Sequence, residues 1–197
     1  MSSPASTADP DENARRRRCL RAAEELFKRI GFRAVTMELV AREANVAKAT
    51  LYSFFKNKDE LFIAVSARMA NILLNAVQEA LADPAASLQD RLTEAVLAKQ
   101  RLIFTLVRGS PHAAELFSYT HALAGDVFAD MDHDILLSLS ETLATNPRLA
   151  PNAAQLARAL YFGSADLSRR CEAWDAAEKE LRAFVSVHLA GALAVAL

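Results

Sequence analysis

Apolar residues recur every three or four positions along most of this chain, which is the spacing of amphipathic α-helices. The first clear run is Leu20, Ala23, Leu26, Phe27 and Ile30. Gly31 follows it as a C-terminal stop, after which we expect Phe32 to pack back. Glycine suits that position because it adopts conformations that other residues avoid.

Two shorter helical patterns follow between Thr36 and Lys58, separated by a break at Asn45–Ala47. Thr36 suits the N-cap of the first pattern, because its hydroxyl can accept a hydrogen bond from the first turn. Asn45 tolerates the left-handed conformation that a sharp turn between helices requires. The layout is that of a helix-turn-helix, a DNA-reading unit.

The second pattern, Lys48–Phe55, is predicted to bury Leu51 and Phe55 on one face and to leave small, polar and basic residues outside. Such a face suits a recognition helix, which must fit the major groove and offer donors to bases and phosphates. Asn57 and Glu60 then match a capping box that opens another helix at Lys58.

Longer helical patterns fill the rest of the chain, so we predict an all-α fold whose larger part is a helical bundle. The predicted helices run from 58 to about 81, from about 87 to 107, and over 111–124, 126–145, about 152–167 and about 176–197, with Gly125 as a hinge. The last two carry apolar seams at Ala153, Leu156, Ala157, Leu160 and Tyr161, and at Leu181, Phe184, Val185, His188 and Leu189.

Charge is divided unevenly along the 197 residues, although the net charge is only −1. Residues 13–58 carry 12 Lys or Arg against 4 Asp or Glu, whereas residues 67–197 carry 11 against 15. A basic head is what a protein needs if one end meets phosphate, because releasing counterions supplies much of non-specific DNA affinity.

Four consecutive arginines, Arg15–Arg18, have two readings of about equal weight. They either reach DNA as a basic arm, or form a solvated first turn of the first helix. Residues 1–12 lack apolar periodicity and are rich in Ser, Pro, Ala and Asp, so we expect them to be disordered.

Other chemistry has little support. The sequence has no nucleophile elbow, phosphate loop or zinc-peptidase motif, so we expect neither an enzyme nor a cofactor. An acidic solvated face explains Asp126, Asp130, Asp132, His133 and Asp134 better than a metal site. Two distant cysteines and no amino-terminal signal peptide indicate a reducing, cytoplasmic compartment. The apolar stretch that comes closest to a membrane span, Val185–Leu197, is too short to cross a membrane.

The segment from Ala22 to Phe62 resembles the amino-terminal domain of the tetracycline-repressor (TetR) family of bacterial transcription regulators. Many positions coincide: Ala23, Leu26, Phe27, Gly31, Phe32, Thr36, Ala41, Ala44, Val46, Lys48, Leu51, Tyr52, Phe55, Lys58, Leu61 and Phe62. The resemblance implies a helix-turn-helix DNA-binding domain at residues 13–66, after the arm of residues 1–12. A ligand-binding and dimerisation domain at residues 67–197 would follow it.

The resemblance also implies DNA contacts. Thr36, Tyr52 and Lys58 match positions that usually meet phosphates, and Lys48 and Thr50 match recognition-helix positions. The complete candidate set is Thr36, Met37, Ala47, Lys48, Ala49, Thr50, Tyr52, Ser53, Phe54 and Lys58.

Three of these positions depart from the family's usual residues. Ala47 replaces a frequent serine or threonine, Ala49 a frequent glycine, and Phe54 a frequent tyrosine or histidine. The recognition surface is therefore poor in donors, and we expect specificity to lean on apolar contacts and DNA shape, with Arg15–Arg18 and Lys56 adding affinity for the backbone.

For the body, the resemblance implies a homodimer formed through the last two helices, and a small apolar or amphipathic effector that releases a repressor from a palindromic operator. Candidate ligand-binding residues are Met69, Phe104, Phe117, Tyr119, His121, Phe128, Met131 and Trp174. Core packing is the alternative for each of them, and closing the core of a single subunit is the alternative for both seams.

The predicted function is therefore a ligand-responsive DNA-binding regulator, cytoplasmic and on the bacterial nucleoid when bound, with no membrane partner. The alternative is a helical protein-interaction module without sequence-specific DNA binding, whose basic head is only a soluble surface.

Overall fold

A computed structural model describes residues 10–195, the side chain of residue 195 excepted. The helices are α1 (Pro10–Ala34), α2 (Met37–Glu43), α3 (Lys48–Phe54), α4 (Lys58–Leu81), α5 (Leu88–Arg108), α6 (Ala113–Leu123), α7 (Gly125–Ala144), α8 (Ala153–Arg170) and α9 (Trp174–Val195), with a 3₁₀ turn at Ala150–Asn152. These described residues include no β-strand, and the predicted all-α fold is confirmed.

The predicted disorder of residues 1–12 is wrong for its last three residues, while residues 1–9 lie outside the described range. Helix α1 begins at Pro10, and its first turn contains Asp11 and Glu12. Proline and acidic residues both favour a helix amino terminus, since proline needs no N–H partner there and acids complement the helix dipole.

The chain divides into two compact units. The head comprises the chain up to Arg68 together with Gly109–Gly125, and the body comprises Met69–Arg108 and the chain from Asp126 onward. The sequence placed the boundary at residues 66/67 and assigned the whole of residues 67–197 to the body. The segment that carries α6 belongs to the head instead.

Aromatic and aliphatic side chains from α1 to α4 fill the core of the head. The Phe27 ring lies 5.7 Å from that of Phe32 and 5.2 Å from that of Phe62, measured between centroids. Gly31 interrupts α1 with a φ of 78° and a ψ of 164°, as the predicted stop requires. The chain therefore turns at Gly31 and returns Phe32, which is buried, to the same core.

Helix α6 packs against α1 within the head. The Tyr119 ring lies 4.1 Å from the Phe32 ring, and the Tyr119 hydroxyl accepts a hydrogen bond from Arg33. A Glu115 carboxylate oxygen accepts from the Arg33 N–H at 3.1 Å, and the Ser110 hydroxyl donates to the Lys28 carbonyl at 2.8 Å. These contacts explain why α6 belongs to the head.

The core of the body is built from the carboxyl-terminal part of α4 with α5, α7, α8 and α9. The two predicted seams lie inside it: Leu160, Leu181 and Val185 are fully buried. A Cβ at Gly163 would lie 2.6 Å from the Phe184 ring, so glycine lets that ring pack against the backbone of α8. Within one subunit, both seams therefore close the core.

Among the described helices, α4 is the one that is long and apolar enough to cross a membrane. The sequence prediction had chosen Val185–Leu197 as the closest candidate, and that choice is wrong. Leu61, Leu73 and Val77 of α4 are buried in the protein core. Core packing therefore accounts for its apolar character.

Candidate nucleic-acid interface

Helix α2 begins at a side-chain cap. Thr36 has the extended backbone of an N-cap residue, and its Oγ1 accepts a hydrogen bond from the Leu39 N–H at 3.2 Å. The cap was predicted, and it is confirmed. Thr36 is exposed, its hydroxyl also lies within hydrogen-bonding reach of the Glu38 carboxylate, and its predicted phosphate contact remains a prediction.

The turn between α2 and α3 depends on one left-handed residue. Asn45 has a φ of 51°, and it is the one residue other than glycine with a positive φ in the described chain. The Val46 N–H donates to the Ala41 carbonyl at 3.0 Å, which closes the turn onto α2. This confirms the predicted role of Asn45, although α2 ends at Glu43, one residue before the predicted end.

Helix α3 is fixed by its buried face. Leu51 is fully buried and Phe55, the residue after the helix, is 1% exposed. The opposite face is open to solvent and presents Ala47, Lys48, Ala49, Tyr52 and Ser53, with Thr50 half-buried. Ala47 is the N-cap of α3 and makes no side-chain cap, as its methyl group requires.

Lys48 is held by a partner that sequence reasoning missed. Its Nζ lies 2.5 Å from Glu38 Oε1, which joins the start of α3 to the first turn of α2. The hydrogen bond with Lys48 lowers the pKa of Glu38, and that with Glu38 raises the pKa of Lys48. The ammonium also lies 5.7 Å from the Tyr52 ring centroid. Lys48 is thus positioned beside Tyr52 before any phosphate arrives.

Lys58 also has partners within the head. Its Nζ donates to the Phe32 carbonyl at 2.9 Å and to the Arg33 carbonyl at 3.3 Å. The signal was present in the sequence, since a helix that stops at Gly31 leaves carbonyls without intrahelical partners. Lys58 therefore fixes the end of α1 against the start of α4, and its predicted phosphate contact remains a prediction.

The capping box before α4 is confirmed at Asn57, whose Oδ1 accepts from the Glu60 N–H at 2.8 Å. Glu60 reaches back to the N–H of Lys56, also at 2.8 Å, rather than to that of Asn57. The Glu60 carboxylate therefore holds the turn between α3 and α4 one residue further upstream than a standard capping box does.

Met37 departs from the predicted contact set. Its side chain is 6% exposed and belongs to the core of the head, because it lies on the inner face of the first turn of α2. Only the backbone of this residue is left to meet a phosphate. Phe54 is half-buried, and its ring lies 6.3 Å from that of Phe55.

The four arginines Arg15–Arg18 lie within α1, and Arg16, Arg17 and Arg18 are exposed. The Arg16 guanidinium lies 5.2 Å from the centroid of the Phe55 ring, immediately after α3. Arg15 forms an ion pair with Asp11. These arginines are thus helical, their contact with DNA remains a prediction, and Arg16 lies beside the end of α3.

The predicted ligand-binding residues fall in both compact units. Phe117, Tyr119 and His121 lie on α6, in the head, whereas the other five lie in the body. Met131 is buried in the body core. The Phe104 and Trp174 rings contact each other, with centroids 5.7 Å apart. The described residues also contain no group of three or more His, Cys, Asp or Glu side chains that could hold a metal.

Comparison with known proteins agrees with this geometry. Residues 20–65 match the model of the family described as "Bacterial regulatory proteins, tetR family". Residues 20–65 therefore form a domain of the tetR type. The matched range contains all of α2 and α3, and it ends close to the boundary of the head in α4.

Two curated relatives are similar to part of this chain. It is 37% identical over 84 residues to the uncharacterized HTH-type transcriptional regulator YhgD of Bacillus subtilis (strain 168), which is 43% of this chain and 44% of that protein. It is 40% identical over 67 residues to the HTH-type transcriptional activator FasR of Mycolicibacterium smegmatis (strain ATCC 700084 / mc(2)155), covering 34% and 31%. The match thus spans less than half of either relative.

A solved structure extends the likeness to the whole fold. The crystal structure of a TetR-like transcriptional regulator from Rhodococcus sp. RHA1 superposes with a TM-score of 0.64, over 96% of this chain and all of that one, at 23% identity. At this identity the likeness shows the fold alone. The family and the named relatives are regulators and not enzymes, as the absence of catalytic motifs had predicted.

Proposed function

We propose that this protein is a transcriptional regulator that reads double-stranded DNA with α3. The observation that carries the proposal is the exposed face of α3, which is mounted on a fully buried Leu51 and carries Lys48, Thr50 and Tyr52. A reading helix must present its donors at fixed positions, because a base edge is recognised through directional hydrogen bonds.

Backbone contacts would come from three parts of the head. The Thr36 hydroxyl, the Tyr52 phenol and the exposed arginines Arg16–Arg18 all offer donors of the kind that phosphates accept. Lys48 is the candidate for contacts with bases or with the DNA backbone, and its ammonium would leave the Glu38 carboxylate when it binds DNA. Ala49 and Ala47 offer only methyl groups, which can touch thymine but cannot replace a donor.

The protein is further proposed to act as a homodimer on a palindromic operator. Since both predicted seams are used inside one subunit, the dimer surface must be the outer face of α8 and α9. On α9 that face carries Ala183, Val187, Ala190 and Gly191, and on α8 it carries Phe162, with Val187 68% and Phe162 50% exposed. Small residues beside exposed apolar ones suit close packing of symmetry-related helices.

We further propose that a small molecule controls DNA binding. In the mechanism that we favour, the protein represses transcription and an effector releases it from DNA. Its support is a cavity of about 260 Å³ in the body, lined by Ile103, Phe104 and Val107 among others. Ligand sites are concave and largely apolar, with a few polar groups that fix orientation. The protein would work in the cytoplasm, on the nucleoid when bound.

The decisive experiment is a gel shift against the DNA upstream of the gene, over a series of salt concentrations. We expect sequence-specific binding whose affinity falls steeply with salt. Lys48→Ala should weaken specific binding by about tenfold, the scale of one lost contact. Lys179→Ala, which removes an exposed lysine from α9, is the matched control and should bind as the parent protein does.

Two results would reject the proposal. One is equal affinity for upstream and unrelated DNA, which would favour a protein-interaction module with a basic surface. The other is unchanged specific binding by Lys48→Ala, which would move readout away from α3.

The dimer is tested separately by analytical ultracentrifugation. Val187→Glu or Phe162→Glu should convert a dimer to a monomer, because each would bury a charge in the interface. Leu137→Glu changes an equally exposed leucine on α7 and should leave the dimer intact. A parent protein that sediments as a monomer at micromolar concentration would refute the dimer.

A further inference from the structure

Lys99 of α5 is the one lysine that the described part of the body buries, at 7% exposed. Its ammonium has neither a hydrogen-bond acceptor nor an ion-pair partner among the described residues. The nearest group is the Tyr161 ring, whose centroid lies 3.3 Å from Nζ. An ammonium removed from water is costly unless it is paired, because the ring replaces only part of its hydration.

The groups around Lys99 do not remove this cost. The Tyr161 hydroxyl donates to the Asp132 carboxylate, which forms no ion pair with Lys99 within the described chain. Burial lowers the pKa of Lys99 to about 8, and the negative charge of Asp132 opposes that change. Lys99 is consequently a cation at neutral pH, inside the core, with all three N–H donors available.

Two cavities lie along the same pair of helices. The inner cavity, of about 10 Å³, is lined by Lys99, Tyr161, Ser164 and aliphatic side chains. The outer cavity, of about 260 Å³, is lined by Ile103, Phe104, Val107, Arg108, Ser168 and Arg169. Lys99, Ile103 and Val107 are spaced four residues apart and therefore share one face of α5, and Ser164 and Ser168 share one face of α8 in the same way. Both cavities therefore lie along one cleft between these two faces.

Gln100 connects the two cavities. Its Nε2 donates to the Ser164 hydroxyl at 3.0 Å, and its Oε1 accepts from the Ser168 hydroxyl at 2.9 Å. Ser164 lines the inner cavity and Ser168 the outer one, so the Gln100 amide lies between them. An amide and two hydroxyls can exchange partners without leaving a donor unsatisfied, provided that an incoming group accepts their hydrogen bonds.

We infer that the cleft between α5 and α8 binds a small carboxylic acid, with its apolar tail in the outer cavity and its carboxylate paired with Lys99. The Ser168 hydroxyl would turn from Gln100 Oε1 to the carboxylate, and the Ser164 hydroxyl would turn to it from the Tyr161 carbonyl while still accepting from Gln100 Nε2. That such an acid changes DNA binding rests on the proposed function, whereas its binding to the cleft does not.

The charges around the cleft favour an acid over a neutral or basic compound. Arg108 and Arg169 line the outer cavity and carry the same sign as Lys99. A carboxylate supplies the acceptor that the ammonium lacks, and charge-assisted hydrogen bonds are about twice as strong as neutral ones. A neutral amide of the same length would offer one weaker acceptor and would leave the ammonium uncompensated.

Binding is tested by titrating the full-length protein with hexanoate, octanoate, decanoate and phenylacetate, using isothermal calorimetry and Trp174 fluorescence. Trp174 is the only tryptophan and touches the Phe104 ring, which lines the outer cavity. We expect saturable binding of at least one acid and at least tenfold weaker binding of the matching amide, for example octanamide beside octanoate.

Lys99→Met keeps the length of the side chain and removes its charge. It should weaken binding of the acid by at least tenfold and leave binding of the amide unchanged. Lys179→Met, on the exposed face of α9, should bind the acid as the parent protein does. Circular dichroism and the melting temperature of each variant show whether it is folded.

The inference is overturned if none of the four acids binds saturably, if acid and amide bind equally, or if Lys99→Met binds the acid like the parent protein. Any of these results would leave Lys99 as a buried cation solvated by water. A gel shift with and without the acid separates the two proposals. Intact DNA binding with no acid binding rejects only the cleft, and acid binding without an effect on DNA rejects only ligand control.

Discussion

The head and the body differ in the polar side chains that they bury. In the described part of the head, the buried polar side chains are two serines, Ser66 and Ser110, while lysines and arginines lie at the surface or near it. The body buries Thr93, Lys99, Gln100, Ser164 and Ser168. A domain that contacts DNA through its surface needs a rigid apolar core beneath that surface. A domain that binds a ligand in its interior must bury polar side chains, although they lower its stability.

This difference predicts opposite responses to core substitutions. In the head, removing apolar volume should cost stability directly, because no polar network is there to rearrange. In the body, replacing the buried charge should raise stability and remove a binding property.

The largest effect is expected from Phe27→Ala, in the aromatic core of the head. Phe27 is 2% exposed and contacts two other rings. Its truncation should lower the free energy of unfolding by roughly 3–5 kcal/mol and abolish specific DNA binding. Urea unfolding followed by circular dichroism measures the whole chain, and Trp174 fluorescence follows the body.

The matched control for Phe27→Ala is Phe117→Ala, a 49% exposed phenylalanine in the same unit. We expect it to change stability by less than about 0.5 kcal/mol. If the two variants were equally stable, the ring cluster of the head would contribute no special rigidity.

Gly31→Ala should produce the next largest effect. The φ of 78° with a ψ of 164° is a conformation that only glycine adopts at low cost, so alanine should destabilise the head by roughly 2–3 kcal/mol. The new Cβ would also lie 2.5 Å from Glu115 Oε2, and the other oxygen of that carboxylate, Oε1, accepts from the Arg33 N–H. Ala34→Gly is the control, and equal urea midpoints for parent and Gly31→Ala would contradict the argument.

In the body, Lys99→Met should raise stability by roughly 1–3 kcal/mol at pH 7, because it removes an unpaired buried charge. The gain should depend on pH. Below pH 8 both folded and unfolded chains hold the proton, so the folded parent protein bears the full cost of the buried ammonium.

Between about pH 8 and 10.5 the folded state of the parent protein loses the Lys99 proton before the unfolded state does. Unfolding then takes up a proton, so the contribution of Lys99 to stability rises with pH over this window. The advantage of Lys99→Met should accordingly shrink towards pH 10. Urea unfolding at pH 7, 8.5 and 10 measures it, and a constant advantage would refute the buried-cation argument.

The sequence predicted local features well, because these depend on neighbours along the chain. Gly31, Thr36, Asn45 and Asn57 each take the conformation or cap that their chemistry favours. Contacts between distant residues were not predicted. Tyr119 meets Phe32 across 87 positions, so the membership of α6 in the head could not be inferred from helical periodicity alone.

The same limit applies to the body. Lys99 lies on the apolar stripe formed by Leu92, Val96 and Ile103, at steps of three and four residues, so a signal for its burial was present. A single lysine on such a stripe is usually read as a side chain that extends to the surface. The structure adds what periodicity could not predict, namely that Tyr161 and Ser164 of α8 pack around Lys99 and leave it 7% exposed.

The smallest expected effect concerns the cap that α3 lacks. Ala47 already has N-cap geometry, with a φ of −63° and a ψ of 145°, but no side-chain acceptor. Ala47→Ser would place a hydroxyl within reach of the N–H groups of Ala49 or Thr50, and should stabilise the head by roughly 0.5–1 kcal/mol. Ala49→Ser adds the same hydroxyl two residues after the N-cap position, where it cannot cap the helix, so its urea midpoint should stay near that of the parent protein.

Because the new hydroxyl is exposed beside Lys48, Ala47→Ser should also tighten DNA binding in the gel shift, through an added phosphate donor. Equal stabilisation by both serines would show that the start of α3 gains nothing specific from a cap, and that the head tolerates alanine there because its apolar core already fixes the helix.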